Sequence, residues 1–265
     1  MKTRGIIIPC PSKYELICLN NVKTLRTQLN NELPIEIWEI GDEISPGVRK
    51  QFESIKDCTF ENVNNYADSN PNHWKGFQIK AFAIYHTKFD EVILCDADVT
   101  FFKNPEIIYN DENYIRTGAY FFKDLERWIF HDLRYNAPDK FSSIEFYNMR
   151  KGFIHSLIPK KTNLFPKEWA YLYEDKIPTV QVKESLQESG VVYIDKTRHK
   201  QSIIHIYTIN YNHNETYKYV WGDKETFWIA CVMSNTPFHF NSESGIMYNG
   251  RLTHFYKNEQ FWRQK

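Results

Sequence analysis

The sequence predicts an α/β fold built on a mostly parallel sheet, and two observations predict it. Strand-like apolar stretches alternate with helical stretches across the first 54 residues, the rhythm of parallel strands joined by crossover helices. The second is the run Phe89-Asp90-Glu91-Val92-Ile93-Leu94-Cys95-Asp96-Ala97-Asp98-Val99-Thr100. Its apolar centre has the length and β-branched content of a buried strand, and it stops abruptly at two aspartates one residue apart.

Taken in order, residues 5–10 (GIIIPC) form a first buried strand. Ser12 is placed to cap a helix over 14–30, on which Leu16, Leu19, Val22, Leu25 and Leu29 recur at helical spacing. Pro34 breaks the chain and 35–40 (IEIWEI) alternates as a strand. Gly41-Asp42 makes a turn, and Ser45-Pro46-Gly47 opens a second helix to about 54. An Asn- and Asp-rich loop over 62–72 leads to Trp74-Lys75-Gly76 and a helix over 77–87, whose apolar face is Phe77, Ala81, Ile84 and Tyr85. Lys80 stands on the flank of that face. A lysine there either snorkels past the core or points at a phosphate.

Pro105 closes the aspartate segment, and a strand over 117–122 and a short helix over 125–133 follow. The Lys-rich, poorly periodic stretch 134–166 reads as a variable insertion, the kind that selects a substrate on a shared scaffold. Residues 179–186 fit no single pattern. A clear strand covers 190–194, and 196–209 is basic and then helical. Residues 222–228 open another helix with Asp223 in its first turn, where the helix dipole favours a carboxylate. Late strands fall at 238–240 and 252–256. No repeat, low-complexity tract or long linker interrupts the chain, so residues 1–265 are expected to form a single domain.

The totals argue against several function classes. Hydrophobic residues make up 42% and charged residues 25%, as in an ordinary soluble globular protein. Aromatics are high at 16%, chiefly a ring-rich core, with rings to spare for flat ligands such as nucleobases and sugars. The 33 Lys and Arg balance 33 Asp and Glu, so no net charge points to nucleic acid or anionic lipid, although a local phosphate pocket is compatible. The cysteines (10, 18, 58, 95, 231) contain no Cys-x-x-Cys pair and leave an odd one over. That argues against a disulfide framework or structural zinc and for a reducing compartment. The apolar run after Met1-Lys2-Thr3-Arg4 is too short for a signal peptide or a membrane span. The expectation is a soluble, intracellular protein without a transmembrane segment.

An Asp-x-Asp triplet arises by chance about once in a chain of this length, so the strand in front of it carries the signal. Carboxylates at the end of a buried strand are costly unless they meet positive charge, and a hard divalent cation suits them. Three uses fit. Asp96 and Asp98 could hold Mn²⁺ or Mg²⁺ against the diphosphate of a sugar nucleotide, stabilising the leaving group of a glycosyl transfer. Asp96-Ala97-Asp98-Val99-Thr100 also satisfies the Asp-x-Asp-x-Thr nucleophile pattern of haloacid-dehalogenase phosphohydrolases, with Gly222-Asp223 as the late acidic motif. That pattern normally falls on the first strand of its core, whereas two strands and three helices precede it here. A non-enzymatic carbohydrate-binding domain would use the aspartates as a structural ion site, but the segment is otherwise apolar apart from Asn104.

Six segments, in order, resemble the fungal α-mannosyltransferases that extend cell-wall and Golgi mannans and, more distantly, the glycogenin-like retaining transferases. They are 33–38 (LPIEIW), 74–83 (WKGFQIKAFA), 89–98 (FDEVILCDAD), 117–122 (TGAYFF), 188–196 (ESGVVYIDK) and 222–228 (GDKETFW). The resemblance implies a GT-A fold, a Rossmann-like sheet flanked by helices with a variable acceptor-side insertion. It further implies metal-dependent, anomer-retaining transfer from a nucleotide-sugar donor, GDP-mannose or a UDP-sugar, to a glycan acceptor. The strand over 5–10, Pro9 included, and the residues after it would face the nucleoside, and Lys80 the donor phosphates. Asp96 and Asp98 match the metal motif. Glu188, Ser189 and Gly190 would approach the donor sugar, and Asp223 the sugar or the acceptor hydroxyl, with the catalytic role open between Glu188 and Asp223.

Glycogenin-like enzymes end in His-Phe-x-Gly-x-x-Lys-Pro-Trp, and His254, Phe255 and Trp262 fall at that spacing. The resemblance makes His254 a third metal ligand, with His239 its rival. The Gly, Lys and Pro positions hold Lys257, Gln260 and Phe261, so the diphosphate role of the family lysine passes to Lys257. The fungal enzymes are membrane-anchored and lumenal. A chain opening directly on its first strand suits a cytoplasmic sugar-nucleotide pool, with a microbial or viral glycan as product.

Overall fold

Residues 2–41, 44–125, 128–129, 143–174, 182–183 and 186–264 are described by the computed structural model. The first half of the chain runs β1 (Arg4–Pro9), α1 (Glu15–Thr27), β2 (Ile35–Glu39), α2 (Pro46–Glu53), β3 (Cys58–Asn62), α3 (Ile79–His86), β4 (Glu91–Cys95) and β5 (Thr100–Phe101). There follow α4 (Glu112–Thr117), β6 (Ala119–Lys123), β7 (Trp128–Ile129), α5 (Ser143–Leu157), β8 (Val182–Lys183), β9 (Gln187–Asp195) and α6 (Lys200–Tyr211). The last part comprises α7 (His213–Thr216), α8 (Thr226–Met233), β10 (His239–Ser244), β11 (Ile246–Tyr248), β12 (Arg251–Tyr256) and β13 (Glu259–Arg263).

Seven strands form one sheet in the order β10-β6-β9-β4-β1-β2-β3. β4, β1, β2 and β3 are parallel, as are β10 and β6, and β9 runs antiparallel to both of its neighbours. Successive side chains of a strand point to opposite faces, so each strand feeds two cores. Ile7, Val92 and Leu94 join Trp74, Phe82, Ile206 and Trp228 under α3, α6 and α8. Ile6, Ile8 and Ile93 join Val22 and Phe52 under α1 and α2, with Phe261 and Trp262 of the C-terminal hairpin. Burial on both faces is why β1 and β4 read as unbroken apolar runs. Each such side chain contributes about 1.5–3 kcal/mol. A smaller antiparallel sheet, β11-β12-β13-β5, docks the last strand beside the aspartate segment, pairing Trp262 with Phe101 and Arg263 with Thr100.

Several expectations need correction. Ser12 caps nothing: it lies in a 3-10 turn (Ser12–Tyr14) ahead of α1 and makes no side-chain capping bond, and Leu16 points to solvent. β2 does not alternate, because helices cover both faces. Of its buried glutamates, Glu36 accepts from Thr87 and Trp38, and Glu39 pairs with Arg49 through one oxygen. β3 went unread because it is a polar edge strand, and Gly41 turns as expected while Asp42 lies outside the described residues. Phe77 and Tyr85 are exposed, since α3 starts two residues late and turns Ile79, Phe82 and Ala83 inward. Residues 128–129 are strand, paired with 182–183, where a helix was expected; the remainder of that helix beyond Leu125 lies outside the described residues. The Lys-rich stretch contains α5, held by Ile154 in the core. α8 starts at Thr226, which leaves Asp223 in the turn before it. Among the described residues, no helix is long and apolar enough to cross a membrane.

Candidate active site

Ligands of parallel sheets gather outside the carboxyl ends of the strands. β1 and β4 end there at Pro9 and Cys95, and α3, which leads into β4, has its N-terminal end there too. Lys80 is the second residue of α3 and is buried, 5% exposed. Its Nζ lies 2.8 Å from Asp96 Oδ1 and 3.2 Å from Asp223 Oδ2, and donates to the Ser189 carbonyl and Oγ, both at 3.2 Å. Three other stretches of the chain therefore converge on one ammonium group.

An irregularity in β9 makes this possible. Phe121 pairs with Val192, but Phe122 pairs with Glu188, so residues 189–191 bulge from the β6 ladder. The bulge brings Ser189 to Lys80 and Glu188 to Lys224, whose Nζ lies 2.8 Å from Glu188 Oε2 and 2.6 Å from Asp124 Oδ2. Glu188 Oε1 accepts the Gly190 N–H at 2.8 Å, and the Gly190 carbonyl accepts the Asp96 N–H at 2.9 Å. A Cβ on Gly190 would stand 2.4 Å from Gln264 Nε2, the atom that donates to Asp96 Oδ2 at 3.2 Å, and would push that side chain off the aspartate.

Burial pushes Asp96 up to about 7, against the pull of Lys80. It raises Glu188 as well, against the pull of Lys224. For Lys80 burial works downward, but Asp223 and Asp96 outweigh it and hold the ammonium charged. The cluster thus consists of carboxyl groups short of positive charge and two lysines with more than one anion each.

Of the residues singled out in sequence, Lys80, Asp96, Ser189 and Asp223 meet directly, and Glu188 and Gly190 join through the β9 bulge. Pro9 ends β1 one strand away, paired with Trp38. Asp98 is half-buried at the strand end. His254 is fully buried and stacks on Trp262, ring centroids 3.8 Å apart, and neither ring nitrogen has a hydrogen-bond partner. Burial lowers it to about 3, which keeps the imidazole neutral, the form that ligates metals. Among the described residues, no three His, Cys, Asp or Glu side chains are gathered closely enough to hold an ion by themselves. Lys257 is exposed at the β12–β13 turn, its Nζ 5.0 Å above the Tyr256 ring, and His239 lies half-buried 5.1 Å from Tyr120; neither contacts Lys80. Lys224, Asp124 and Gln264 escaped sequence reasoning. Asp124 had a signal, since it follows the buried run of β6 as Asp96 follows that of β4.

Behind the site, Glu225 is fully buried. It accepts from the Leu186 N–H at 2.6 Å, the Gln187 N–H at 3.3 Å and the Trp228 indole. Burial lifts it from 4.5 to about 7. The folded state therefore holds this proton more tightly than the unfolded chain. The resulting stability is complete below pH 4.5 and is lost as pH rises through about 7, at most ~3 kcal/mol. Glu225→Gln removes the titration, so its stability relative to the parent should improve from pH 5 to pH 8 in urea unfolding. A difference that is the same at both pH values would show a carboxyl ionised throughout.

Residues 3–261 match the family described as "Mannosyltransferase putative". Curated relatives include the Candida albicans protein named "Putative alpha-1,3-mannosyltransferase MNN13", 28% identical over 281 residues (90% of this chain, 34% of that protein). The Saccharomyces cerevisiae alpha-1,3-mannosyltransferase MNT3 is 24% identical over 258 residues (92% of this chain, 40% of that protein). The chain thus spans a third to two-fifths of the length of these relatives. Among solved structures, core-mannan synthase A (CmsA/Ktr4) of Aspergillus fumigatus in its Mn/GDP form superposes with a TM-score of 0.55 at 14% identity, covering 92% of this chain and 74% of that one. The mannosyltransferase Ktr4p of S. cerevisiae in complex with GDP gives 0.54 at 12%, covering 95% and 72%. At such identities the structures establish the shared GT-A, Rossmann-like architecture. The sequence match goes further and runs nearly the whole length of the fold, through Lys80, Asp96, Glu188 and Asp223: this chain belongs to the mannosyltransferase family.

Proposed function

We propose that the protein is a metal-dependent glycosyltransferase, a hexosyltransferase that moves a sugar from a nucleoside-diphosphate donor, GDP-mannose or a UDP-sugar, to a glycan acceptor with retention. The supporting observation is Lys80, a buried ammonium held by Asp96, Asp223 and Ser189 at the carboxyl end of the sheet. A lysine in that setting is a ready counter-charge for the diphosphate of a donor. At ~4 Å a unit charge pair is worth about 4 kcal/mol at an effective dielectric near 20.

On this reading Pro9 and the end of β1 border the nucleoside, and Ser189 and Gly190 line the donor-sugar side. The donor set suits a hard divalent cation, Mn²⁺ or Mg²⁺, since Asp96 and Asp98 offer carboxylate oxygens and His254 a neutral imidazole with unpartnered nitrogens. When bound, such an ion offsets the charge that builds on the departing diphosphate. Asp223 and Glu188 are the groups for the anomeric centre, either as nucleophile or by stabilising positive charge there. Asp223 has the better claim, because it faces Lys80 at 3.2 Å, whereas Glu188 is held more closely by Lys224 at 2.8 Å and also accepts the Gly190 N–H. Lys257 lies over the Tyr256 ring at the β12–β13 turn and would have to leave it to serve the diphosphate. The five buried free thiols support a reducing, cytoplasmic setting.

A thermal-shift series tests the proposal. GDP, GDP-mannose and UDP-sugars are screened with and without Mn²⁺, because a ligand of the native state raises the melting point by mass action. The expected result is a shift with one nucleotide family that grows with Mn²⁺ and is lost in Asp96→Ala and Asp98→Ala. A shift unchanged in both variants would sink the metal bridge, and no shift with any nucleotide would sink the enzyme reading.

A further inference from the structure

Two aromatic side chains stand open to solvent beside the buried charges. Phe77 is 62% exposed and Trp221 55% exposed, while Lys80 and Asp223 behind them are 5% and 2%. Both ride on backbone tied to the site. The Phe77 carbonyl accepts the Lys80 N–H at 3.2 Å, and the Trp221 carbonyl accepts the Lys224 N–H at 3.3 Å. Lys80 and Asp223 in turn lie 3.2 Å apart.

Gly222 lies against the Phe77 ring and directly follows Trp221 in the chain. Its φ of +62° suits glycine, and a Cβ there would stand 3.3 Å from the Phe77 ring. Phe77 thus packs over the Gly222 backbone, Trp221 is the next residue on one side, and Asp223 is the next on the other. Scattered exposed apolar residues need no explanation. These two are large side chains carried by the same segments that bear the site's charges.

We propose that Phe77 and Trp221 form a stacking platform for a sugar ring of the acceptor glycan, next to Asp223. This rests on the glycosyltransferase reading above. The C–H face of a pyranose carries slight positive charge and meets the negative face of an aromatic ring, and its hydroxyls stay in water at an exposed site. An acceptor glycan must reach in from solvent, which suits half-open rings. The nucleoside is assigned to the end of β1, whereas α3 and α8, which flank Phe77 and Trp221, cover the face opposite α1 and α2.

The test titrates α-linked mannotriose and, separately, GDP into the protein by calorimetry. Phe77→Ala and Trp221→Ala should each weaken mannotriose binding about ten-fold, Trp221→Phe should keep most of it, and GDP affinity should not change. Melting temperatures should stay with the parent, because both rings are exposed. Unchanged mannotriose binding, or a parent protein that does not bind mannotriose, overturns the platform. An equal loss of GDP binding overturns it in favour of base stacking. Mannotriose binding that depends on both rings in a protein that ignores all nucleotides supports the platform while removing the enzyme reading, so the two failures are distinct.

Discussion

Lys80→Met should lower stability by ~3–5 kcal/mol and abolish nucleotide-sugar turnover. Methionine matches the length of the lysine stem but leaves Asp96 at 2.8 Å and Asp223 at 3.2 Å with no cation between them. Removing one partner from a buried ion cluster costs this much because the remaining charges stay desolvated. The Ser189 carbonyl and hydroxyl lose their donor as well. At roughly 2–4 °C per kcal/mol for a protein of this size, the melting temperature should fall by about 10 °C. Lys80→Arg should not restore activity, because a planar guanidinium cannot take the place of a compact ammonium. Calorimetric melting checks the first part and donor hydrolysis the second. A variant that melts with the parent would mean that water or a counter-ion already neutralises these carboxylates.

Asp223→Asn should reduce turnover by about 10³-fold, some 4 kcal/mol of activation free energy, with GDP affinity within a few-fold of the parent. The substitution preserves volume, and it preserves the Asp223 carbonyl, which accepts the Thr226 N–H at 3.0 Å and starts α8. What it removes is the negative charge facing Lys80 at 3.2 Å. Steady-state kinetics with the donor alone and with acceptor would report the loss in kcat. Glu188→Gln is the comparison. If it costs turnover while Asp223→Asn keeps more than a tenth of it, the roles of the two carboxylates are reversed.

Legibility in the sequence followed burial. β1, β4 and β9 were readable because both their faces are covered and their apolar runs are continuous. β3 was not, since an edge strand of Cys58-Thr59-Phe60-Glu61-Asn62 has the composition of a loop. Phe77 misled because α3 starts two residues later than the apolar spacing suggests and leaves it outside the helix, whereas Leu16 lies within α1 but on its solvent face. In the site, Lys80, Asp96 and Asp223 could each be flagged locally, by a flank position, a strand end or a helix start. Their convergence could not, because it depends on the β9 bulge. Lys224 and Gln264 look like solvated residues in sequence, and the partners that give them meaning, Asp124 and Asp96, are 100 and 168 residues away.

The antiparallel placement of β9 has a consequence for the order in which the protein assembles. β9 lies between β4 and β6, pairing Cys95 with Val191 and Phe122 with Glu188. Its register with β4 therefore closes a loop of roughly a hundred residues, whereas β1, β2 and β3 zip through short local crossovers. Loop closure must be met before such distant contacts give anything back, so sheets of this kind fold slowly. Until β9 inserts, Lys80 has no Ser189 and Asp96 no Gly190 carbonyl. The N-terminal half can thus be nearly complete while the candidate site is still unassembled, and the insertion of β9 is the step that brings its residues together.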